Sequence, residues 1–384
     1  MSEIRIAYVI NSVEGGGAQS PVPAIARVLR DHGAEVRVFA LTRRDGLGLP
    51  AIERAGLDPL VRDGGEKDHF AAARWLTNQL RDWGATHLWT SLSRATILGL
   101  LIGPKLGLPV ISWQHNAFLK PWNRRLMRLL QSRAELWVGD SRAVTNLTAQ
   151  RLAVEQDRLV TWPIYCADPA MPVAKAWVPG EPLRLGSLGR LHPVKGYDIL
   201  IAALARLRAS GFTPPAPLEI AIAGEGAERS RLETLAHDAG IENIRFPGHT
   251  DHPREFLAGL HLYVQPSRSE GFCIAAHEAL TAGLPIVASS VGELLHTVVT
   301  CKAGFVVPPE DANALAAALA KALSDPAELA RMGTAGRADM LQRFSQESFM
   351  QTGSAIWQRI RQASAGDRAQ ARSKSDQSAL HRTA

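Results

Sequence analysis

The stretch Ser269-Glu270-Gly271-Phe272-Cys273-Ile274-Ala275-Ala276-His277-Glu278-Ala279-Leu280 decides how the rest of the chain is read. An apolar run, Leu260 to Val264, precedes it and predicts a buried strand closed by Pro266. A second apolar run, Leu284 to Ala288, follows it, set off by Gly283 and Pro285. Between them Ala275 to Ala282 has helical composition, and Gly283 is a natural helix stop. The predicted order is strand, turn, short helix, strand. Glu270 then stands in the turn at the carboxyl end of a strand, and Glu278 stands within the helix. Ligands of open α/β sheets bind beyond the carboxyl ends of the strands. A free helix N-terminus at that place favours phosphate through its unpaired N–H groups and its dipole.

The same alternation runs outward in both directions. Leu183 to Leu188 predicts a strand, followed by the loop Gly189-Arg190-Leu191-His192-Pro193-Val194-Lys195-Gly196 and a helix over Tyr197 to Ala209. Leu218 to Ala223 predicts the next strand, leading to Gly224-Glu225-Gly226. In the first half Ile4 to Ile10 is a strand, Pro23 to His32 a helix and Ala34 to Leu41 a strand, with Gly15, Gly16 and Gly17 in the first loop. This is a β-loop-α-β unit without the G-x-G-x-x-G fingerprint. Its glycines, Gly16 and Gly17 foremost, would let backbone approach a diphosphate or an acceptor. A strand over Pro109 to Trp113 delivers Gln114-His115-Asn116 at its carboxyl end.

The segment EGFCIAAHEA resembles the Glu-x7-Glu motif of glycosyltransferase family 4, usually E-G-F-G-[LI]-x-x-x-E-A. That family comprises retaining nucleotide-sugar transferases of GT-B fold. The resemblance implies that Glu270 touches hydroxyls of the donor sugar and that Glu278 holds the ribose. It also implies that the amides of Gly271, Phe272, Cys273 and Ile274 face sugar and phosphate. The Arg190 to Gly196 loop resembles the family's G-R-x(n)-K-G signature, whose two cations clamp the donor diphosphate. Fixed cations suit that task, because the departing diphosphate gains negative charge in the transition state. Arg grips phosphate with a fork, whereas Lys acts as a point charge. Gly224 and Gly226 match the family's A-G-x-G, and Ile244 to Gly248 resembles its F-x-G turn near the nucleobase. His115 stands where the family often has a His near the donor sugar. The departures are Ala18-Gln19 for the acidic residue that usually follows the first-loop glycines, Cys273 for the usual glycine, Pro163-Ile164-Tyr165-Cys166-Ala167-Asp168 for the usual Pro-Asn-Gly segment, and a compressed loop before Glu293.

With 384 residues the chain is long enough for two domains of ordinary size. Three scattered cysteines, Cys166, Cys273 and Cys301, build neither a disulfide framework nor a zinc site. The start MSEIRIAYVI reads as a strand and not as a signal peptide, and the longest apolar stretch, Ala95 to Ile111, is broken by Gly103-Pro104-Lys105. A net charge of +6 suits anionic partners. Part of that charge is concentrated between Lys120 and Arg128, where Arg124, Arg125 and Arg128 crowd one side of a predicted helix. Trp122, Leu126, Leu129 and Leu130 are expected on the other side, the pattern of an interfacial anchor on anionic lipid.

These readings give an α/β architecture of two doubly wound, Rossmann-like domains facing across a cleft, the GT-B fold. The expected layout is an acceptor-side domain over 1–168, a linker over 169–182 and a nucleotide-sugar-binding domain over 183–345. A helix over 346–362 returns to the first domain, and a disordered tail spans 363–384. The expected activity is retaining transfer of a hexose from a UDP- or GDP-sugar to a glycan or lipid-linked acceptor, in bacterial cell-surface polysaccharide synthesis. Glu270 and His115 are the candidate catalytic residues; Arg190, Lys195, Glu278, Gly271 to Ile274, Gly16 and Gly17 are the candidate donor contacts. No cofactor, no metal ion and no nucleic acid are expected. The protein is expected in the cytoplasm, peripheral on the inner face of the plasma membrane. The alternatives are a GT-B sugar-nucleotide epimerase or an inactive partner subunit of a glycan-assembly complex.

Overall fold

Aliphatic runs too short for helices are separated here by segments long enough to cross back over a sheet, and that arrangement makes parallel pairing the natural outcome. The computed structural model describes residues 4–15, 19–115 and 119–362. The chain divides into two compact units, Met1–Trp162 with Glu347–Ala384, and Pro163–Gln346. In the first unit β1 (Ile4–Ile10), β2 (Ala34–Ala40), β3 (Leu60–Val61), β4 (His87–Ser91), β5 (Val110–Gln114), β6 (Leu136–Gly139) and β7 (Leu159–Thr161) form one sheet in the order 3-2-1-4-5-6-7. In the second, β8 (Leu183–Leu188), β9 (Leu218–Ala223), β10 (Ile244–Gly248), β11 (Leu262–Gln265), β12 (Ile286–Ser289) and β13 (Gly304–Val307) take the order 10-9-8-11-12-13. Every pairing is parallel. Strand order reverses between β1 and β4 and again between β8 and β11, so each sheet has a switch point where ligands are bound in such folds.

Burial on both faces explains the near-continuous apolar strands. In the first unit Trp89, Trp113 and Trp162 are fully buried, with Trp113 and Trp162 stacked at 5.0 Å between ring centroids. The helix over 346–362 covers this aromatic layer. Phe349 lies 5.1 Å from the Trp162 ring, and Trp357 stacks on His32 at 6.1 Å. Gly353 permits the approach, because a Cβ there would meet the Trp162 ring at 2.5 Å.

The segment after β7 is docked onto the second unit. Ile164, Tyr165, Ala167 and Met171 are buried with Leu280, Leu284 and Phe344, and Ala167 N–H donates to Phe344 O at 2.8 Å. The division made by packing therefore falls between Trp162 and Pro163, ahead of the expected domain end at 168. Part of the expected linker is also tied down, since Ala174 N–H donates to Ala282 O at 2.7 Å. The expected tail over 363–384 lies outside the described residues.

Candidate active site

The loops that follow β8 and β11 meet at the switch point of the second sheet. Lys195 Nζ lies 2.8 Å from Glu270 Oε1, the two side chains being 20% and 10% exposed. The same carboxylate oxygen accepts from Ser267 Oγ at 2.6 Å and from Gln265 Nε2 at 3.4 Å. Gln265 Nε2 also donates to Ser267 Oγ at 2.8 Å, and the Tyr263 hydroxyl lies 2.9 Å from Gln265 Oε1. Tyr263, Gln265 and Ser267 are wholly buried, so Glu270 is aimed from below by a satisfied polar chain. Burial works against the Lys195 ammonium, but its acidic neighbours Cys273 and Glu270 outweigh it and hold its pKa above the ordinary value. Burial raises the Cys273 thiol too and keeps it protonated, so the Glu270 carboxylate carries that effect.

Glycine and one arginine explain why the two loops touch. Gly196 has φ +67°, and a Cβ there would stand 2.0 Å from Pro266 O. Arg268 crosses from the β11 loop, gripping Asp198 with two bonds of 2.8 Å and donating to Pro193 O at 2.7 Å. Its backbone N–H donates to Val194 O at 2.8 Å. Gly224 and Gly226, matched in sequence to the A-G-x-G motif, serve the packing of the Arg190 loop. A Cβ at either would meet Gly189 O or Leu191 O at 2.1 Å. On the far side Gly292 lies under Glu270, where a Cβ would meet Glu270 O at 2.5 Å, and Glu293 N–H donates to Gly271 O at 3.0 Å. The compressed loop thus braces the turn through backbone.

The helix Ile274–Thr281 starts at Cys273, whose φ of 68° and ψ of 72° are left-handed. A glycine is usual here for that reason; a cysteine holds the conformation against steric strain. His277 supports it. Its Nδ1 lies 3.0 Å from Cys273 O and its Nε2 3.0 Å from Thr297 Oγ1, so Nδ1–H donates to the carbonyl and Nε2 accepts from the hydroxyl. Burial pushes the imidazole pKa down to about 3, and Phe272 stacks on it at 3.9 Å. The Tyr165 hydroxyl lies 2.7 Å from Thr281 Oγ1 and fastens the other end of this helix. No acceptor among the described residues takes the N–H groups of Gly271, Phe272, Cys273 or Ile274. The Glu278 carboxylate, on the same helix, has no hydrogen-bond or ion-pair partner among the described residues. Burial raises its pKa, with Arg254 opposing. Arg190 is exposed and likewise unpaired among the described residues.

The structure therefore brings Lys195, Glu270 and Cys273 together, and sets Glu278 on the helix that begins beside them. Ser267, Gln265, Arg268 and His277 complete the arrangement and were not singled out from sequence. Short polar residues directly after a buried strand were the available signal for the first two. His115 belongs to the first unit, at the end of β5. Gly16 and Gly17 lie outside the described residues.

In the first unit the basic helix spans Pro121–Leu130, but its apolar side is not single. Met127 and Leu130 pack inward, while Trp122 and Leu129 are 71% and 77% exposed. The helical turn sets Trp122 and Leu129 away from the inward row, beside the arginines. Arg124, Arg125 and Arg128 line a groove of about 380 Å³ with Gln150 and Arg151 of the helix Arg142–Leu152. Among the described residues no helix is long and apolar enough to cross a membrane.

The two sheets define the class: the fold is that of GT-B glycosyltransferases. The Anabaena protein HepE in complex with UDP-glucose superimposes with a TM-score of 0.79 at 20% identity, covering 92% of this chain and 99% of that one. The model described as "Glycosyltransferase Family 4" matches residues 15–164, and "Glycosyl transferases group 1" matches residues 174–339. A D-inositol 3-phosphate glycosyltransferase of Jonesia denitrificans is 25% identical over 91% of this chain and 92% of its own. The glycogen synthase of Mycobacterium tuberculosis is 40% identical over 41% of this chain, a match that spans 37% of the relative. Each of the two units thus matches a glycosyltransferase family model, family 4 over the first and group 1 over the second.

Proposed function

We propose that the protein transfers a hexose, with retention of configuration and without a metal ion, from a UDP- or GDP-sugar to a hydroxyl of a glycan or lipid-linked acceptor. The observation that carries this reading is the Lys195–Glu270 contact of 2.8 Å, beside a helix N-terminus with open amides. Arg190 and Lys195 supply the positive charge that a departing diphosphate requires. The open amides from Gly271 to Ile274 offer neutral donors to the phosphate and sugar. Glu270, aimed by Ser267 and Gln265, accepts from sugar hydroxyls, and the unpaired Glu278 accepts from the ribose hydroxyls.

In the transfer, the bond between the anomeric carbon and the phosphate oxygen breaks as the acceptor oxygen bonds to the same face of that carbon. The acceptor proton passes to the departing phosphate oxygen. Both cations act on the charge that grows there, so their effect is larger in the transition state than in the bound donor.

The acceptor is proposed to be membrane-bound, which places the reaction in cell-surface polysaccharide assembly at the inner face of the plasma membrane. The exposed Trp122 and Leu129 beside Arg124, Arg125 and Arg128 support that reading. Flotation with anionic vesicles tests it: Arg124, Arg125 and Arg128 changed together to Ala should abolish binding, and undiminished binding removes the helix from the proposal. For the donor, a thermal-shift titration with UDP, GDP, ADP and NAD, with and without EDTA, is the direct test. One diphosphate should stabilise the protein regardless of EDTA and lose its effect in Arg190→Ala. Stabilisation by none would point to an inactive partner subunit.

A further inference from the structure

Two neighbouring helices of the first unit, Pro121–Leu130 and Arg142–Leu152, carry arginines and contain no acidic residue. Arg124, Arg125 and Arg128 come from the first, and Gln150 and Arg151 from the end of the second; together they line the groove of about 380 Å³. Surface arginines elsewhere in this unit stand against carboxylates: Arg5 with Glu35 at 2.8 Å, Arg37 with Asp58 at 2.6 Å, and Arg44 with Glu14 and Glu66. The side chains of Arg124, Arg125 and Arg128 have no hydrogen-bond or ion-pair partner among the described residues.

Helical spacing puts Arg124, Arg125 and Arg128 on one side, where like charges oppose the helix. A helix that serves packing alone gains nothing from this, since one glutamate in the row would relieve it. Arg151 has a local use as a cation in the last turn of its helix; the other three have none. A phosphate relieves the repulsion, because guanidinium forks grip its oxygens in pairs. The number of cations selects the kind of phosphate. A phosphodiester brings one charge and two free oxygens. A phosphomonoester brings nearly two charges and three oxygens, and nearby guanidiniums favour its full ionisation. Trp122 and Leu129, exposed on the same helix beside the arginines, place that phosphate at a bilayer surface and not on a soluble molecule.

We propose that this groove is a seat for the dianionic phosphate of a membrane lipid, a phosphomonoester headgroup gripped by Arg124, Arg125 and Arg128 from one helix and by Arg151 from the other. Trp122 and Leu129 supply attachment to the bilayer; the groove supplies the choice of headgroup. The proposal rests on the reading that the basic helix meets an anionic membrane, and it goes beyond that reading. Charge alone draws a basic helix to any anionic surface, whereas a seat distinguishes phosphates at equal surface charge.

The test is flotation of the full chain with two sets of vesicles, one containing phosphatidic acid and the other phosphatidylglycerol, adjusted to equal zeta potential. Phosphatidic acid should hold the protein about tenfold or more tightly, the step expected for charged hydrogen bonds. Arg128→Gln together with Arg151→Gln should bring the two affinities together. Trp122→Ala together with Leu129→Ala should weaken both and keep their ratio. Millimolar inorganic phosphate at constant ionic strength should leave the protein on the phosphatidic acid vesicles. Failure to bind either vesicle overturns the reading beneath the proposal and the proposal with it. Equal binding to both overturns the proposal alone, as does a preference that survives the two glutamines. Complete release by inorganic phosphate assigns the groove to the free anion and overturns the lipid seat. If the Arg151 change disturbs folding, Arg124→Gln together with Arg128→Gln, both at exposed positions, decides in its place.

Discussion

Lys195 Nζ and Glu270 Oε1 lie 2.8 Å apart although they belong to loops after two different strands, β8 and β11, that pair side by side at the switch point. The cation proposed for phosphate is thus held by the carboxylate proposed for sugar. Glu270→Gln keeps the bond from Ser267 but removes the counter-ion of Lys195. We expect a loss of turnover of roughly a hundredfold, the size seen when one preorganised polar group is removed, with diphosphate binding preserved. Lys195→Met should do the reverse first: diphosphate affinity falls by about tenfold or more, as for a charged hydrogen bond of 1.5–3 kcal/mol. Turnover and titration calorimetry on the two variants separate these roles.

Glu278 is expected to trade stability for binding. Burial raises its pKa in the folded protein, so its charged form is disfavoured there and the cost is present above the folded pKa. Glu278→Gln should therefore raise the melting temperature of the ligand-free protein, by about 2 °C if 1 kcal/mol is relieved. It should also lose most of the further rise that a nucleoside diphosphate gives. A variant that is both destabilised and fully ligand-responsive would contradict the assignment of Glu278 to the ribose.

Cys273 occupies a backbone conformation that favours glycine. Cys273→Gly relieves strain of about 1–2 kcal/mol and loses a comparable amount through a freer unfolded chain and a vacated thiol, so stability should stay within about 1 kcal/mol of wild type. Cys273→Val should cost roughly 2 kcal/mol or more, because a β-branched side chain suits a positive φ least. Urea denaturation monitored on the second unit's signal checks the contrast.

His277 gives the second unit a defined acid sensitivity. Its folded pKa is depressed to about 3 against an unfolded value near 6.5, so the unfolded chain takes up the proton first as pH falls. The contribution is fully present above about pH 6.5 and is lost progressively toward about pH 3, amounting to a few kcal/mol over that window. His277→Gln should be less stable at pH 7.5 and show a flatter stability profile below pH 6.5. An unchanged slope would mean that another group governs acid unfolding.

Gly196→Ala tests the junction of the two loops. Its Cβ would stand 2.0 Å from Pro266 O at a positive φ, so the loops must separate. We expect destabilisation of roughly 2 kcal/mol or more together with loss of diphosphate binding. Retained binding would show that Lys195 and Glu270 keep their places without this contact.

Local pattern was enough for most elements. The strands Leu183–Leu188 and Leu218–Ala223 and the helix Tyr197–Ala209 have the limits that apolar runs and neighbouring glycines set for them. These features depend on near neighbours in the chain, and alternation of strand and helix then leaves few topologies other than a doubly wound sheet. The charged residues at 190, 195 and 270 could likewise be picked out, because charge at the carboxyl end of a strand has a restricted set of uses, and Glu278 by its place on the helix that follows. Only the tertiary structure decided what those residues touch. The bond from Lys195 to Glu270, the grip of Arg268 on Asp198 and the meeting of Ser91, His115 and Asp140 each join different strand ends. It also moved Tyr165 into the second unit's core and turned Trp122 and Leu129 of the basic helix outward. A one-dimensional pattern specifies which face of a strand or helix is apolar; which strands become neighbours, and therefore which loop ends share a site, follows only from closing the sheet.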